Sequence, residues 1–435
     1  MSDQYNTGKL NVLVFPCGSE VGLEIHRSLQ YSSHFHTIGA SSVADHGSYA
    51  YADYIEGVPF VDSPDFIEEI NQIIKDRDIK FIIPAHDSVV VRLAQAKSSG
   101  ELACDVVTSD VTTCEITRSK KRTYEVFRDI LPVPELFHTK EDLEGAVFPL
   151  FLKPDVGQGS KGTQKVYNAQ ELNYYTEKDP SLLIMEYLPG PEYTIDCFTD
   201  KSGTLLYCEG RERIRISGGI SVSSRQVKDS RFKKLATKLQ NKLSFKGVWF
   251  FQVKENKDGD FVLMEIAPRV AGTMGLARSM GSNLVLMSLF DAQGLEVELV
   301  ANTFNMVIDR ALEGKYRHNI EYKHVYLDFD DTVLVDGRIN IRVLAFVFQC
   351  INNEVKVHLI TKHKQALDDT LLKYRLNNVF DEIIWVRDDR QKHTYINHEN
   401  AIFIDDSHAE RKAIIKELGI PVFDTHAVES LIEYM

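Results

Sequence analysis

Cysteine is scarce in this chain of 435 residues, with six in all: Cys17, Cys104, Cys114, Cys197, Cys208 and Cys350. No two form a Cys-x-x-Cys pair and none joins a histidine at zinc-finger spacing, which argues against a disulfide framework or a finger-type metal site. Buried free thiols are the expectation. Long apolar runs are also missing, and nothing approaches the roughly 20 apolar residues in a row that a membrane-spanning helix needs. The opening Met1 to Lys9 is polar and lacks a basic-then-apolar signal segment. Basic runs are short, the densest being Arg118 to Arg122 around Ser119, against a formal net charge of -13. Sequence-independent nucleic-acid binding needs a dense basic face, so neither nucleic acid nor membrane is an expected partner. These absences predict a cytoplasmic protein. They leave its oligomeric state open.

What is present is ordinary globular material, 43% hydrophobic and 26% charged, and long enough for about two to four domains. Leu10 to Pro16 reads as a strand, Cys17-Gly18-Ser19 as a turn, and the spacing of Val21, Leu23, Ile25 and Leu29 as a helix. Strand, turn and helix open an α/β domain, and Phe66 to Ile74 followed by Lys80 to Pro84 repeats the theme. His86 and Asp87 follow that strand, either at the ligand-binding edge of a sheet or as caps of the next helix. Gly18 alone is no dinucleotide fingerprint. From about Thr117 the texture turns to short strands, glycines and hairpins. A polar stretch from Leu312 to Tyr322 precedes a third segment of alternating strands and helices.

In the middle segment, Leu150 to Pro154 is a strand carrying Lys153 into the loop Asp155-Val156-Gly157-Gln158-Gly159-Ser160-Lys161-Gly162. Glycine there lets backbone N–H groups approach a phosphate, although the spacing is not that of a Walker loop, and a plain turn is the alternative. Glu192, Thr194 and Asp196 share one face of a strand, lining a cleft or meeting solvent. Arg211, Arg213 and Arg215 alternate on another, so three guanidiniums would share a face and recognise an acidic substrate or simply be solvated. Asp258-Gly259 predicts a two-residue hairpin turn, which places Gln252 opposite Glu265. The same register puts Trp249, Phe251, Val253, Val262, Met264 and Ile266 on the core face. Gln252, Glu265 and the nearby Arg269 then form either a hard-cation site beside an anion-binding arginine or an ordinary surface group.

Lys120, Lys153-Pro154, the Gly157–Gly162 loop, Met185-Glu186, Gly190-Pro191-Glu192, Gln252 and Met264 to Arg269 together resemble the ATP-grasp superfamily, nearest to short proteins like the carbamoyl-phosphate synthase large subunit. The resemblance covers about Leu10 to Arg317. It implies that Lys120 and Lys153 hold ATP phosphates under a loop containing Gly157, Gly159, Ser160 and Gly162. It further implies Glu186 at the adenine, Glu192 at the ribose, Gln252 and Glu265 on Mg2+, and Arg269 at the transferring phosphoryl group. One departure stands out. Ala267 occupies a position where many members carry a metal-binding asparagine, and a methyl group ligates nothing.

In the last segment, Val325-Tyr326-Leu327 runs into Asp328-Phe329-Asp330-Asp331-Thr332. Two further strands end at Thr361 and at Asp405-Asp406, the arrangement of a doubly wound sheet with polar groups along its carboxyl edge. From Lys323 to Met435 the pattern resembles the haloacid-dehalogenase (HAD) phosphatases. It implies Asp328 as nucleophile, Asp330 as acid and base, and Thr361 and Lys392 on the phosphoryl oxygens. Asp328, Asp330, Asp405 and Asp406 would hold Mg2+. Lys362, Lys364 and Lys373 compete with Lys392 for the lysine role. The intervals between these motifs are too short for a cap domain.

The expected architecture is α/β throughout: a Rossmann-like pre-ATP-grasp domain over 1–116, an α+β ATP-grasp domain over 117–318, and a capless HAD-like doubly wound parallel sheet over 319–435. The expected function is bifunctional, an ATP- and Mg2+-dependent carboxylate–amine ligase joined to a phosphatase. Its partners would be a small carboxylate, an amine and a phosphorylated compound. The alternatives are a phosphatase with an ATP-sensing module, or an ATP-grasp kinase.

Overall fold

The computed structural model describes residues 8–138, 140–157, 159 and 161–433. The chain divides into two compact units, one ending at Leu312 and one beginning at Glu313. Among the described residues, no helix is long and apolar enough to cross a membrane.

The first unit opens with a parallel sheet of β1 (Leu10–Phe15), β2 (Phe35–Ser41), β3 (Asp53–Glu56), β4 (Ile79–Pro84) and β5 (Asp105–Val106), in the order β3-β2-β1-β4-β5. Burial on both faces explains why β1 is apolar at every position from Val12 onward. Val12 and Val14 pack with Val21, Ile25 and Leu29 of the helix Glu20–Leu29. Leu13 and Phe15 point the other way, onto Phe66, Ile70 and Ile73 of the helix Phe66–Asp76 and Val89 and Leu93 of the helix Asp87–Ser99. Strand order reverses at β1, so the crevice beyond the ends of β1 and β4 is the topological switch point. All six cysteines are free, and five of them are buried.

Two antiparallel sheets follow. The smaller contains β6 (Leu136–Phe137), β7 (Leu150–Pro154), β8 (Gln164–Val166) and β9 (Leu182–Glu186), ordered β6-β9-β7-β8. The larger contains β10 (Glu192–Thr199), β11 (Leu205–Ser217), β12 (Ile220–Val227), β13 (Gly247–Glu255), β14 (Phe261–Ala267) and β15 (Val307–Asp309), ordered β14-β13-β10-β11-β12-β15. Its core face buries Trp249, Phe251 and Val253 against Phe232 and Leu239 of the helix Ser230–Gln240.

The β13–β14 hairpin departs from the expected two-residue turn. Glu255 pairs with Phe261 and Val253 with Leu263, one residue short of the expected register. The Asn256 side chain closes the longer tip by accepting from the backbone N–H groups of Asp258 and Asp260, each at 2.9 Å. A bulge between Gln252 and Val253 then restores the pairing of Gln252 with Glu265. Because strand side chains alternate, the one-residue slip turns Phe261 and Leu263 into the core. Met264, expected in the core, instead lines a cavity.

The second unit is a parallel sheet. It contains β16 (His324–Leu327), β19 (Lys356–Thr361), β20 (Glu382–Trp385), β21 (Ala401–Ile404) and β22 (Val422–Phe423), ordered β20-β19-β16-β21-β22. The hairpin of β17 (Leu334–Val335) and β18 (Arg338–Ile339) and the helix Ile341–Asn352 fill the interval between β16 and β19. Val325, Leu327, Val357, Leu359, Ile402 and Ile404 form one core, while Tyr326, Ile360 and Phe403 belong to another.

Candidate functional site

The first unit contains a cleft made of two adjoining cavities that share Lys161, Arg213, Gly219, Gln252 and Glu265 as lining. One half is backed by Phe151, Met185, Leu188 and Met264 and carries Lys120, Lys153, Glu186 and Glu192. The other is lined by Arg211, Arg213, Arg269 and Arg310. Strand register explains the polar wall. Thr194 pairs with both Arg211 and Gln252, and Gln252 pairs with Glu265, so four strands present one polar row on the same face. One row further, Ala267 pairs with Phe250 and lies with it in an apolar cluster, offering no oxygen ligand.

Lys120 is placed by its helix. Ser119 caps the helix Lys120–Phe127 and donates to both Asp155 carboxylate oxygens at 2.9 Å, while Lys121 N–H donates to Asp155 Oδ1 at 2.8 Å. Lys120 Nζ then reaches the carbonyls of Asp155 and Gly157, each at 3.2 Å. Lys153 Nζ donates to the Tyr124 hydroxyl at 2.7 Å, and that hydroxyl donates to the Met264 carbonyl at 2.7 Å. Met264 is the extra residue of the bulge, so the ladder leaves its carbonyl open for this use. Burial, with the Lys120 charge beside it, pushes the Lys153 pKa down to about 7. Burial also lowers Lys120, against the pull of Glu265.

Glu186 N–H and carboxylate meet the Glu135 backbone at 3.1 Å in both directions, which fixes the end of β9. Glu192 is ion-paired with Arg213, which also donates to Gln252 Oε1 at 3.2 Å and to the Gly219 carbonyl at 2.7 Å. Gly159 and Gly162 adopt positive φ, and Gly157 and Gly159 line the cleft. Ser160 and Gln158 lie outside the described residues. The three-arginine face needs correction. Arg211 is buried in a two-bond pair with Asp196 at 2.9 Å. Arg215 is exposed and paired with Asp309, because register shifts on either side of it break the alternation.

Arg269 is gripped by the first residue of the helix Asp87–Ser99. Its guanidinium donates to both carboxylate oxygens of Asp87, at 2.6 and 2.9 Å. Burial would raise the Asp87 pKa, but Arg269, with Arg118 and His86, outweighs it and holds the carboxyl below its ordinary range. His86 caps the helix by accepting from Ser88 N–H at 3.2 Å.

The second unit gathers its acidic groups at the carboxyl ends of β16 and β21. Ligand oxygens of Asp328, Asp405 and Asp406 lie within 4.8 Å of one another. Lys392, almost wholly buried, donates to Asp328 at 2.5 Å and to Asp405 at 2.6 Å. Burial raises the Asp328 carboxyl, Lys392 opposes the rise, and Asp405 adds to it. Of the competing lysines, Lys362 is exposed and pairs with Glu410, and Lys373 lies over the Tyr374 ring. The Asp330 carboxylate does not join the three-carboxylate group, because His363 Nδ1 holds it at 2.9 Å. His363 N–H donates to Thr361 Oγ1 at 3.1 Å. Neither His363 nor Tyr124 stood out in the sequence. The signal for Tyr124 was its helical i,i+4 spacing from Lys120.

Residues 178–313 match a family model described as ATP-grasp in the biosynthetic pathway with Ter operon. A D-alanine–D-alanine ligase from Petrotoga mobilis is 32% identical over 99 residues, which is 22% of this chain and 33% of the relative. The match therefore spans about one third of that protein. Among solved structures, N5-carboxyaminoimidazole synthetase from Staphylococcus aureus complexed with ADP superposes with TM-score 0.58 at 13% identity, covering 70% of this chain and 83% of that one. The biotin carboxylase domain of the Hydrogenobacter thermophilus 2-oxoglutarate carboxylase, solved with magnesium ADP, gives 0.57 at 14% identity over 68% and 73%. An L-amino acid ligase from Bacillus licheniformis gives 0.52 at 18% over 65% and 73%. The chain shares a fold with these proteins, and its ATP-grasp match lies within the first unit.

Proposed function

We propose that the chain is bifunctional, an ATP-dependent carboxylate–amine ligase in its first unit and a phosphomonoesterase of the HAD type in its second. The observation that carries the ligase reading is the convergence of Lys120, Lys153 and the Gln252–Glu265 pair on a cleft whose other half is lined by arginines. Lysines suit the triphosphate, and the amide and carboxylate oxygens suit a hard divalent cation. The substrate carboxylate attacks the γ-phosphorus of ATP and ADP leaves. The amine then attacks the carbonyl carbon of the acyl phosphate, loses a proton, and expels phosphate. Arg211, Arg213 and Arg269, fixed in place by Asp196, Glu192 and Asp87, line the half of the cleft where the carboxylate and the transferring phosphoryl group are held. Bound Mg2+ offsets phosphate charge.

In the second unit, Asp328 attacks phosphorus and forms an aspartyl phosphate while the alcohol leaves. Asp330, oriented by His363, donates a proton to the leaving oxygen and then takes one from water. Lys392 and Thr361 hold the phosphoryl oxygens, and Asp405 and Asp406 complete the cation site. A second reading is favoured by Ala267 alone: the first unit binds nucleotide without turnover and the phosphatase is the sole activity.

The test uses an Asp328→Asn background to silence phosphatase activity, with Mg-ATP and a panel of carboxylates and amines. ADP release that needs one carboxylate and one amine, with a product mass equal to their sum less water, is the expected result. ADP release with carboxylate alone would make the unit a kinase. ATP binding without any ADP release would establish the second reading.

Lys153 adds a pH signature. With its pKa near 7, a large share of the lysine is neutral above that pH. Phosphate oxygens beside it favour the charged form and raise the pKa, so ATP binding takes up protons. Nucleotide affinity therefore falls as pH rises from 7 toward 9. Calorimetry in buffers of different ionisation enthalpy reads the uptake directly, and Lys153→Met should remove it. An uptake of zero in the wild type would contradict the assignment.

A further inference from the structure

The second unit holds a cluster of histidines that the proposed phosphatase chemistry does not use. His324 and Tyr326 lie two apart on β16 and so share a face. His358 on β19 pairs with Tyr326, and Glu382 on β20 pairs with His358. His398 precedes β21 and completes the group. One ring nitrogen from each of His324, His358 and His398 lies within 4.8 Å of the others.

The ring partners fix which atoms remain for a ligand. The Glu382 carboxylate can only accept, so His358 Nδ1, at 2.8 Å from it, carries the proton. That leaves the Nε2 lone pair of His358 aimed at His324 Nδ1, 2.9 Å away. The Tyr326 hydroxyl holds His398 Nδ1 at 2.6 Å, leaving Nε2 of that ring uncommitted by this bond. A carboxylate behind one ring and a hydroxyl behind another are the outer partners that metal-ligating histidines use.

We infer that His324, His358 and His398 form a binding site for a transition-metal ion of the zinc class, oriented by Glu382 and Tyr326. The all-nitrogen donor set selects Zn2+ or Co2+ over Mg2+, which the carboxylates of Asp328, Asp405 and Asp406 suit instead. The two sites sit toward opposite ends of β16, about 13 Å apart along the strand for the four residues from His324 to Asp328. The His324 and His398 rings are stacked, 3.6 Å between centroids and 10° between planes. Two parallel rings cannot aim lone pairs at one ion, so the His398 ring tilts out of the stack on capture about the Nδ1 atom that Tyr326 holds. His324 then ligates through the nitrogen that faced His358, and its proton moves to the other ring nitrogen. Water fills the fourth position.

The test uses tag-free, full-length protein stripped with a chelator and titrated with Zn2+ and Co2+. One tightly held Zn2+ per chain and the strong visible bands of tetrahedral Co2+ are expected. His358→Ala should weaken binding at least about 100-fold, and Glu382→Gln about tenfold. His324→Gln and His398→Gln provide a second pair if the buried His358 variant does not fold, and each should also remove the Co2+ bands. Asp406→Asn should leave binding unchanged. Absence of a tight ion, binding lost in Asp406→Asn, or wild-type binding in both glutamine variants would overturn the inference.

Discussion

Asp328→Asn is expected to reduce magnesium-dependent phosphomonoester hydrolysis by on the order of 10⁴-fold or more, because the amide cannot form the aspartyl phosphate. p-Nitrophenyl phosphate suffices as the probe. The fold should persist, since Lys392 keeps its bond to Asp405 at 2.6 Å when Asp328 loses its charge. ADP release by the first unit should stay within about twofold of wild type, because that cleft is lined by residues of the first unit alone. Hydrolysis above a tenth of the wild-type rate in the folded variant would move the nucleophile elsewhere, whereas no magnesium-dependent hydrolysis by the wild type would remove the phosphatase reading altogether.

The second large effect belongs to Glu265→Gln. ADP release should fall by roughly 10³-fold, equivalent to about 4 kcal/mol at 1.36 kcal/mol per decade. Two losses combine. The carboxylate is one of two oxygen donors that the hairpin turns into the cleft, and an amide binds Mg2+ far less strongly. Glu265 also favours the charged forms of Lys120 and Lys153, so its loss drives both lysines further toward neutrality. A partial rescue by lowering pH would separate the second loss from the first. A turnover number within threefold of wild type would exclude Glu265 from the reacting centre.

Local pattern carried much of this structure. The apolar strands β1, β4, β16 and β21 were legible because both faces are buried and their residues are correspondingly uniform. The opposition of Gln252 and Glu265 was legible too, but through two departures that cancel: a longer hairpin tip and a compensating bulge. Met264 and Leu263 exchanged faces for that reason, which no count of alternating residues reveals. The Arg211–Arg215 alternation failed at its last member, where strand irregularity overrides a period of two. The Asp87–Arg269 pair joins residues 182 positions apart and has no local signature. His363 was hidden similarly, since its role depends on β19 lying beside β16. The three histidines His324, His358 and His398 were scattered through the sequence as single, ordinary residues.

The ties that build the ATP-grasp cleft are also among the longest in the first unit. Thr108 bonds to the Pro268 carbonyl at 2.8 Å, Tyr124 to Met264 at 2.7 Å, and Asp87 to Arg269 at 2.6 Å. Each closes a loop of well over 100 residues, and loop closure costs chain entropy before the contact returns anything. The cleft is thus complete only when the opening parallel sheet, the lysine-bearing elements and the β13–β14 hairpin have all met. The matched segment 178–313 lacks Asp87, Lys120, Tyr124 and Lys153, and alone it would make strands without the pocket. The cleft therefore reports on the completeness of the whole unit, and a chain that stalls part-way would show secondary structure without it.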